Sequence, residues 1–278
     1  MLRPTISVCM ITYGHEKYIR EAIEGVLMQE CDFEIELILA NDCSPDSTDE
    51  VIQDILKNHP RKSWIKYFNH EKNIGMMPNF IDAFKKSEGK YVALCEGDDY
   101  WTDSLKLQKQ VDFLEVNPEY TICFHKVNIL QEGIVKEDII TVKVPETTTI
   151  NDLAKGNYIH TCSVVFKNNL FEKFPKYFEK SPVGDYFLHM LNARYGKIKH
   201  LDEFMGVYRL HDSSVWSSQD NSKREKIWIH FLKNIKPNFN SEVQGIIKNQ
   251  ISKYKALHIE RRKLAFKKII RKLYNLLK

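Results

Sequence analysis

Short apolar runs alternate with amphipathic segments over residues 1–117 of the chain. Ile6–Thr12 is apolar with little alternation, which is typical of a strand buried on both faces. Further runs predict strands at Glu36–Ala40, Lys66–Asn69 and Tyr91–Cys95. The intervening and following segments predict helices at Tyr18–Gln29, Glu50–Lys57, Pro78–Lys86 and Ser104–Glu115. Strands and helices that alternate at this spacing predict an α/β fold with a mainly parallel, doubly wound sheet.

The pattern is weaker after Pro118. It predicts a smaller part with strands at Thr121–His125, Ile139–Val144 and Ser163–Phe166 and a helix at Tyr186–Tyr195. Two more helices are predicted at Lys223–Phe231 and Glu242–Lys278. We therefore expect one domain over residues 1–220, with halves 1–117 and 118–220, and a helical extension over residues 221–278.

Polar clusters follow three of the predicted strands. They are Thr12-Tyr13-Gly14-His15, Asn41-Asp42-Cys43-Ser44 and Glu96-Gly97-Asp98-Asp99. In doubly wound sheets, ligands bind beyond the carboxyl ends of the strands. Because the three clusters occupy equivalent positions, we expect them to form one site.

The third cluster places three carboxylates within four residues. Crowded carboxylates repel each other unless a cation neutralises them, and oxygen ligands of this kind suit Mg²⁺ or Mn²⁺, which commonly bridge diphosphate oxygens. The alternative is a solvated acidic turn in which Gly97 supplies the bend. The position after the fourth predicted strand, beside two other polar clusters, favours the metal site.

Cysteine content and charge distribution add two further indications. The six cysteines are scattered singly, which argues against a zinc site or a disulfide framework and favours a reducing compartment. The net charge of +4 conceals an asymmetry, because Lys248–Lys278 holds 11 Lys and Arg and one acid. Within it, Ile259–Lys278 has apolar residues on one helical face and lysine and arginine on the other. This pattern predicts binding to an anionic membrane surface, or packing against the domain or another subunit; no nucleic-acid motif accompanies it.

Several ordered motifs resemble the family 2 glycosyltransferases with the GT-A fold. The resemblance covers roughly residues 4–217, and it is carried by Ile6–Tyr13, Asn41–Thr48, Asn73-Ile74-Gly75, Glu96–Trp101, Gly184-Asp185-Tyr186, Tyr208-Arg209-Leu210-His211 and Val215-Trp216. It implies an inverting transfer from a nucleotide-sugar, with a UDP-sugar favoured, that depends on Mn²⁺ or Mg²⁺.

The resemblance also assigns roles on the donor side. Thr12 and Tyr13 would hold the nucleotide base, although Tyr13 could instead pack in the core. Asp42 would accept a hydrogen bond from the base edge, alone, because Asn41 stands where many relatives have a second aspartate; capping the next helix is the alternative. Asn73 would also contact the nucleotide or only shape the turn.

The metal and diphosphate residues come from both halves of the domain. The resemblance implies that Asp98 and Asp99 bind the metal, that Asp98 also contacts the donor, and that His211 completes the ligand set. Arg209 would neutralise the departing diphosphate. Glu96 replaces the usual aspartate and is expected in the outer shell. For His211, the alternative is a surface loop histidine.

The acceptor side depends on Asp185, which matches the catalytic base of the family and could also cap the helix that follows it. Trp101 and Trp216 would pack against sugar rings or lie in the core. The expected acceptor is a hydroxyl of a cell-envelope glycan or a lipid-linked glycan. The expected location of the protein is the cytoplasm or the inner face of the membrane, as a peripheral protein, and self-association into an oligomer is compatible with the sequence. The alternative functions are nucleotidyl transfer, which would need a basic phosphate loop after the first strand, and non-catalytic binding of a nucleotide or sugar.

Overall fold

The computed structural model describes the backbone of residues 5–211 and 221–276, and the side chains of residues 5–211 and 223–261. The strands are β1 (Ile6–Thr12), β2 (Ile35–Asn41), β3 (Ile65–Asn69), β4 (Tyr91–Leu94), β5 (Tyr100–Trp101), β6 (Tyr120–Gln131), β7 (Ile134–Glu137), β8 (Thr147–Thr148), β9 (Val165–Lys167) and β10 (Lys197–Leu210). The helices are α1 (Ile19–Leu27), α2 (Thr48–Asn58), α3 (Met76–Lys85), α4 (Lys106–Val116), α5 (Ile150–Leu153), α6 (Gly184–Asn192), α7 (Asn221–Ile235) and α8 (Ser241–Leu276).

These strands form one sheet in the order β3-β2-β1-β4-β9-β6-β10-β5, with β7 paired to β6 and β8 to β10. The pairs β3-β2, β2-β1, β1-β4 and β6-β10 are parallel, and the others are antiparallel. Strand β1 lies between β2 and β4, so the chain order reverses there and a crevice opens at the carboxyl ends of these strands. The predicted α/β fold with a doubly wound, mainly parallel sheet is confirmed.

Helices cover both faces of the sheet. Along β1, Val8 and Met10 belong to the core beneath α1, α2 and α4, whereas Cys9 between them belongs to the core beneath α3 and α6. Successive side chains of a strand point to opposite faces, so a strand buried on both sides is apolar throughout. This explains why the sequence of β1 shows little alternation.

The two helices of the extension pack on the second of these cores. Trp228 and Phe231 of α7 join Val243 and Ile247 of α8 in the same apolar cluster as Tyr186 of α6. The Tyr186 and Trp228 rings stack with centroids 5.3 Å apart. Because full burial of one such side chain contributes about 1.5–3 kcal/mol, this contact stabilises the placement of α7 and α8 against α6.

Two sequence-based assignments in the second half differ from the structure. Ile139–Val144 is not a strand: the Asp138 carboxylate accepts a 2.7 Å hydrogen bond from the Thr141 amide and bends the chain into a 3₁₀ turn at Thr141–Lys143. Strand β10 was not predicted. Its register against β6 shifts between Leu201 and Phe204 and again before Gly206, so its side chains do not keep a regular period of two.

In the described part of the chain, no helix is both long enough and apolar enough to cross a bilayer.

Candidate active site

A cavity of about 1000 Å³ opens at the carboxyl edge of the sheet, where β1, β2 and β4 end. The three polar clusters named from the sequence all contribute to its wall, together with the start of α6. Its lining includes Thr12, Tyr13, His15, Asp42, Asn73, Glu96, Asp98 and Asp185. The expectation that these clusters lie together is therefore met by the geometry.

One end of the cavity is built from the loop after β1. Thr12 is buried, and its Oγ1 lies 3.1 Å from His15 Nδ1. Tyr13 is 48% exposed, so its ring is not part of the core and faces the opening. A Cβ atom at Gly97 would lie 2.6 Å from Thr12 Oγ1, which explains why the acidic loop has glycine at this point.

Asp42 shapes the neighbouring loop. Its buried carboxylate accepts hydrogen bonds from the Ile74 amide at 2.7 Å and the Gly75 amide at 2.9 Å. Gly75 has a φ of +96°, in the region that favours glycine. Each carboxylate oxygen keeps a second lone pair, so Asp42 can still accept a hydrogen bond from a ligand. It does not cap α2; Asp46 accepts a bond from the Thr48 amide there.

The acidic cluster follows β4. Ligand oxygens of Glu96, Asp98 and Asp99 all lie within 4.8 Å of one another. Burial, followed by the charges of Asp98 and Asp185, raises the pKa of Glu96 to about 8. Burial also raises the pKa of Asp99, and its Oδ2 is buried without a hydrogen-bond partner among the described residues.

Two histidines face the middle carboxylate of this cluster. His211 Nε2 lies 2.9 Å from Asp98 Oδ2, and His15 Nε2 lies 3.9 Å from the same oxygen. Burial raises the pKa of Asp98, but the hydrogen bond from His211 and the two histidine charges outweigh it, so the pKa lies below its usual value. Carboxylate oxygens, an imidazole nitrogen and an unpartnered buried oxygen together fit a divalent cation of the Mg²⁺ or Mn²⁺ type.

Arg209 does not reach the cavity. Its Nε donates to the Asp98 carbonyl at 2.8 Å, its Nη2 pairs with Glu21 at 2.6 Å, and its guanidinium lies over the Tyr18 and Tyr100 rings. Arg209 therefore does not line the cavity in this structure, and its expected contact with a diphosphate stays a prediction. Instead, the Arg209 side chain ties the acidic loop to α1.

Trp101 belongs to the core and not to an acceptor surface. It is 2% exposed, and its Nε1 donates to the Cys162 carbonyl at 2.7 Å. The buried Lys106 ammonium lies 4.0 Å from the ring centre and donates to Gln110, and burial lowers the pKa of Lys106 to about 7. The acceptor role for Trp101 is wrong, and Trp216 lies outside the described residues.

Asp185 stands at the cavity wall, in the first turn of α6. The helix begins at Gly184, so Asp185 lies inside it and is not its N-cap as expected. Asn157 Nδ2 lies 3.3 Å from its Oδ2. Burial raises the pKa of Asp185 above the usual aspartate value, because the ionised form loses solvation there.

Sequence reasoning missed several residues of the cavity. His160 lines it and pairs with the buried Asp138 at 3.2 Å, and His15 faces Asp98 although no role was assigned to it. Residues of α7 and α8 also contribute: Arg224, Glu225, Trp228, Tyr254 and Arg261. No motif marks them, and only the high basic content of the extension was a signal.

Comparison with known proteins identifies the class of fold and then the family. S. aureus TarS, residues 1–349 in complex with UDP-GlcNAc, superposes with a TM-score of 0.67 at 19% identity over 92% of this chain and 73% of that one. The mannosyltransferase PcManGT from Pyrobaculum calidifontis, in complex with GDP-Man and Mn²⁺, gives 0.64 at 13% identity over 98% and 84%. At these identities the likeness shows the GT-A fold. Residues 7–178 match glycosyl transferase family 2, so the chain belongs to that family.

Curated relatives have similar sequences. An uncharacterized Mycobacterium tuberculosis protein is 37% identical over 225 residues, which cover 80% of this chain and 63% of that protein. TuaG of Bacillus subtilis, provisionally named as a teichuronic acid biosynthesis glycosyltransferase, is 26% identical over 245 residues. These residues cover 83% of this chain and 92% of TuaG. The chain thus spans less than two thirds of the mycobacterial relative.

The role of Asp42 in the loop can be tested by Asp42→Asn. The amide would turn a donor toward one of two backbone N–H groups, so we expect the free energy of unfolding to fall by about 1–3 kcal/mol. The Ile74 and Gly75 amides should exchange faster with solvent. Urea unfolding and hydrogen exchange measure both effects. Asp112→Asn, at an exposed position of α4, is the control; equal stability of the two variants would contradict the assigned role.

Proposed function

We propose that the protein is an inverting, metal-dependent glycosyltransferase that moves a sugar from a nucleotide-sugar, a UDP-sugar by preference, to an acceptor hydroxyl. The observation that supports this most directly is one cavity lined by both Asp98 of the acidic loop and Asp185 of α6. A carboxylate cluster suited to a cation beside a diphosphate and a separate carboxylate of raised pKa are the two parts that such a transfer needs.

The donor would occupy the end formed after β1 and β2. Tyr13 offers an exposed ring on which a nucleotide base can stack, with Thr12 beside it. Asp42 and Asn73 border the same end, and Asp42 can accept a hydrogen bond from the base edge through its remaining lone pairs. The UDP-GlcNAc and GDP-Man named for the two similar structures agree with a nucleotide-sugar of this kind.

The divalent cation would be held by Asp98, Asp99 and His211, with Glu96 beside them. When bound, it supplies positive charge against the donor diphosphate. His15 lies 3.9 Å from the same Asp98 oxygen, close enough for its charge to favour the ionised carboxylate. Arg209 fixes the loop through the Asp98 carbonyl.

Asp185 would act as the base. Its carboxylate accepts the proton of the acceptor hydroxyl while the hydroxyl oxygen forms a bond to the anomeric carbon. The bond from that carbon to the diphosphate breaks on the opposite side, so the configuration inverts. Asn157 holds one carboxylate oxygen, and the raised pKa makes Asp185 a stronger proton acceptor than an exposed aspartate.

The acceptor is a cell-envelope glycan or a lipid-linked glycan in this proposal, at the cytoplasmic side of a membrane. The provisional assignment of TuaG to teichuronic acid biosynthesis supports the first part. The basic composition of residues 248–278 supports the second, because surface lysines and arginines attract anionic lipid.

Asp185→Asn tests the base. The amide cannot accept the proton, so we expect the rate at saturating donor and acceptor to fall by 10²-fold or more while UDP affinity changes little. For the unmodified protein, the rate should fall with acid at a pH above the ordinary aspartate pKa of about 3.9, since only the ionised form acts and burial raises its pKa. Loss of UDP binding with an unchanged saturated rate would show that Asp185 binds the donor instead.

Chelation tests the metal. Excess chelator should abolish turnover, and Mn²⁺ or Mg²⁺ should restore it. Asp98→Asn should weaken activation by Mn²⁺ on the order of 100-fold, because a ligand is lost. Mn²⁺ titrations of both proteins measure the effect, with Asp112→Asn as the control. Full activity in excess chelator would rule out the metal but not the transfer.

Deletion of residues 262–278 tests the membrane contact. The cut leaves Arg261 and the cavity in place, and it removes seven of the lysines and arginines of the extension. We expect the full chain to sediment with phosphatidylserine vesicles at low salt and the shortened chain to remain in solution, because charge and apolar face act together. Equal sedimentation of both would show that the membrane contact does not depend on this segment, and a dimer lost on deletion would show that the segment packs against protein.

A further inference from the structure

The cavity extends past Asp185 to a wall made by the extension. Four side chains form this extension wall: Arg224 and Trp228 of α7, and Tyr254 and Arg261 of α8. Tyr186, the residue after Asp185, stacks on Trp228 at 5.3 Å. The extension wall therefore adjoins the helix that carries the proposed base, in the same cavity as the donor residues that follow β1 and β2.

Core contacts hold the aromatic part of the wall in place. Trp228 is 7% exposed, and its Nε1 donates to Gln250 Oε1 at 2.8 Å. Gln250 in turn donates to the Ala154 carbonyl at 2.8 Å. Tyr254 packs against Trp228 with ring centroids 6.1 Å apart. Because these side chains are fixed before any ligand arrives, little conformational entropy is lost when one binds.

A buried carboxylate orients the basic part of the wall. Glu225 is 5% exposed, and it pairs with Arg261 Nε at 3.1 Å and with His258 Nδ1 at 3.2 Å. The Arg261 side chain is 47% exposed. Since Nε carries one of the five guanidinium N–H groups, the fork can still present donors to the cavity. Arg224 brings a second guanidinium to the same wall.

The two ends of the cavity thus differ in charge. The donor end has Glu96 and Asp98, whereas the extension brings Arg224 and Arg261 to the cavity together with Glu225, which pairs with Arg261 and His258. An uncharged acceptor would need flat faces and hydrogen bonds but no pair of arginines. Guanidinium groups match the oxygens of phosphate in bidentate geometry, and two of them suit a phosphate better than a single carboxylate.

We propose that the extension wall binds the acceptor, and that the acceptor carries a phosphate group close to the hydroxyl that meets Asp185. Tyr254, which is only partly buried, offers a ring for the sugar or chain attached to that phosphate, and Trp228 supports it from the core. This inference rests on the proposed function and narrows its acceptor to phosphate-bearing molecules. The phosphate belongs either to a lipid carrier or to the glycan itself.

Calorimetric titration of the full chain in chelator tests the wall with three probes. Dodecyl phosphate represents a lipid carrier, sn-glycerol 3-phosphate represents a glycan phosphate, and dodecyl glucoside has no charge. We expect at least one phosphate to bind and the glucoside to bind on the order of tenfold more weakly or not at all. Tighter binding of dodecyl phosphate indicates the lipid source, and equal binding of both phosphates indicates the glycan. Binding of the glucoside as tightly as the phosphates would overturn the proposal.

Variants locate the site. Arg224→Gln and Arg261→Gln should each weaken phosphate binding on the order of tenfold, while Lys255→Gln, an exposed position of α8 outside the cavity, should not. Equal loss in the Lys255→Gln control, or no loss in either arginine variant, would overturn the inference. UDP titration with Mn²⁺ reports the donor end separately. Phosphate binding that depends on the arginines in a protein that never binds UDP would refute the proposed function and keep the anion site.

Discussion

The repulsion among three carboxylates after β4 is the constraint on which the arrangement of the two halves depends. Glu96, Asp98 and Asp99 bring their oxygens within 4.8 Å of each other, and His15 from the first half of the chain lies 3.9 Å from Asp98. The other partners arrive from β10: the Arg209 amide donates to Asp99 at 2.8 Å and His211 lies on Asp98. The antiparallel pairing of Tyr100 with Val207 brings β10 to this place. The strand pairing that brings β10 beside β5 therefore also places the groups that offset the negative charge of the acidic cluster.

Strands β1, β2 and β4 could be predicted because both faces of each are buried. Every residue of β2 and β4 is buried, so composition alone marks them as strands. The site then follows from topology, since Thr12 ends β1, Asp42 directly follows β2, and Asp98 lies in the loop after β4. A pattern of residues locates such a site but does not show which way each side chain points.

Arg209 and Trp101 show where sequence reasoning ends. Both occur in motifs that resemble the family, and both types can serve a sugar-nucleotide site. The structure turns Arg209 toward Glu21 and Tyr18 and buries Trp101 on Lys106, because neighbours from distant segments decide the direction of each side chain. The same holds for the extension. Its basic composition was visible, but the contact of Trp228 with Tyr186 depends on packing that no local pattern records.

Helix α8 contributes to the cavity wall and also extends well beyond it. It is continuous from Ser241 to Leu276, and Arg261 at the cavity lies well before its end. At about 1.5 Å per residue, the stretch from Arg261 to Leu276 reaches roughly 22 Å. A continuous helix keeps a fixed length. A surface that binds the C-terminal end of α8 would therefore lie at a fixed distance from Arg261 and the cavity. An acceptor attached to the same support would need a spacer of matching length, and the helix would select acceptors by reach as well as by chemistry.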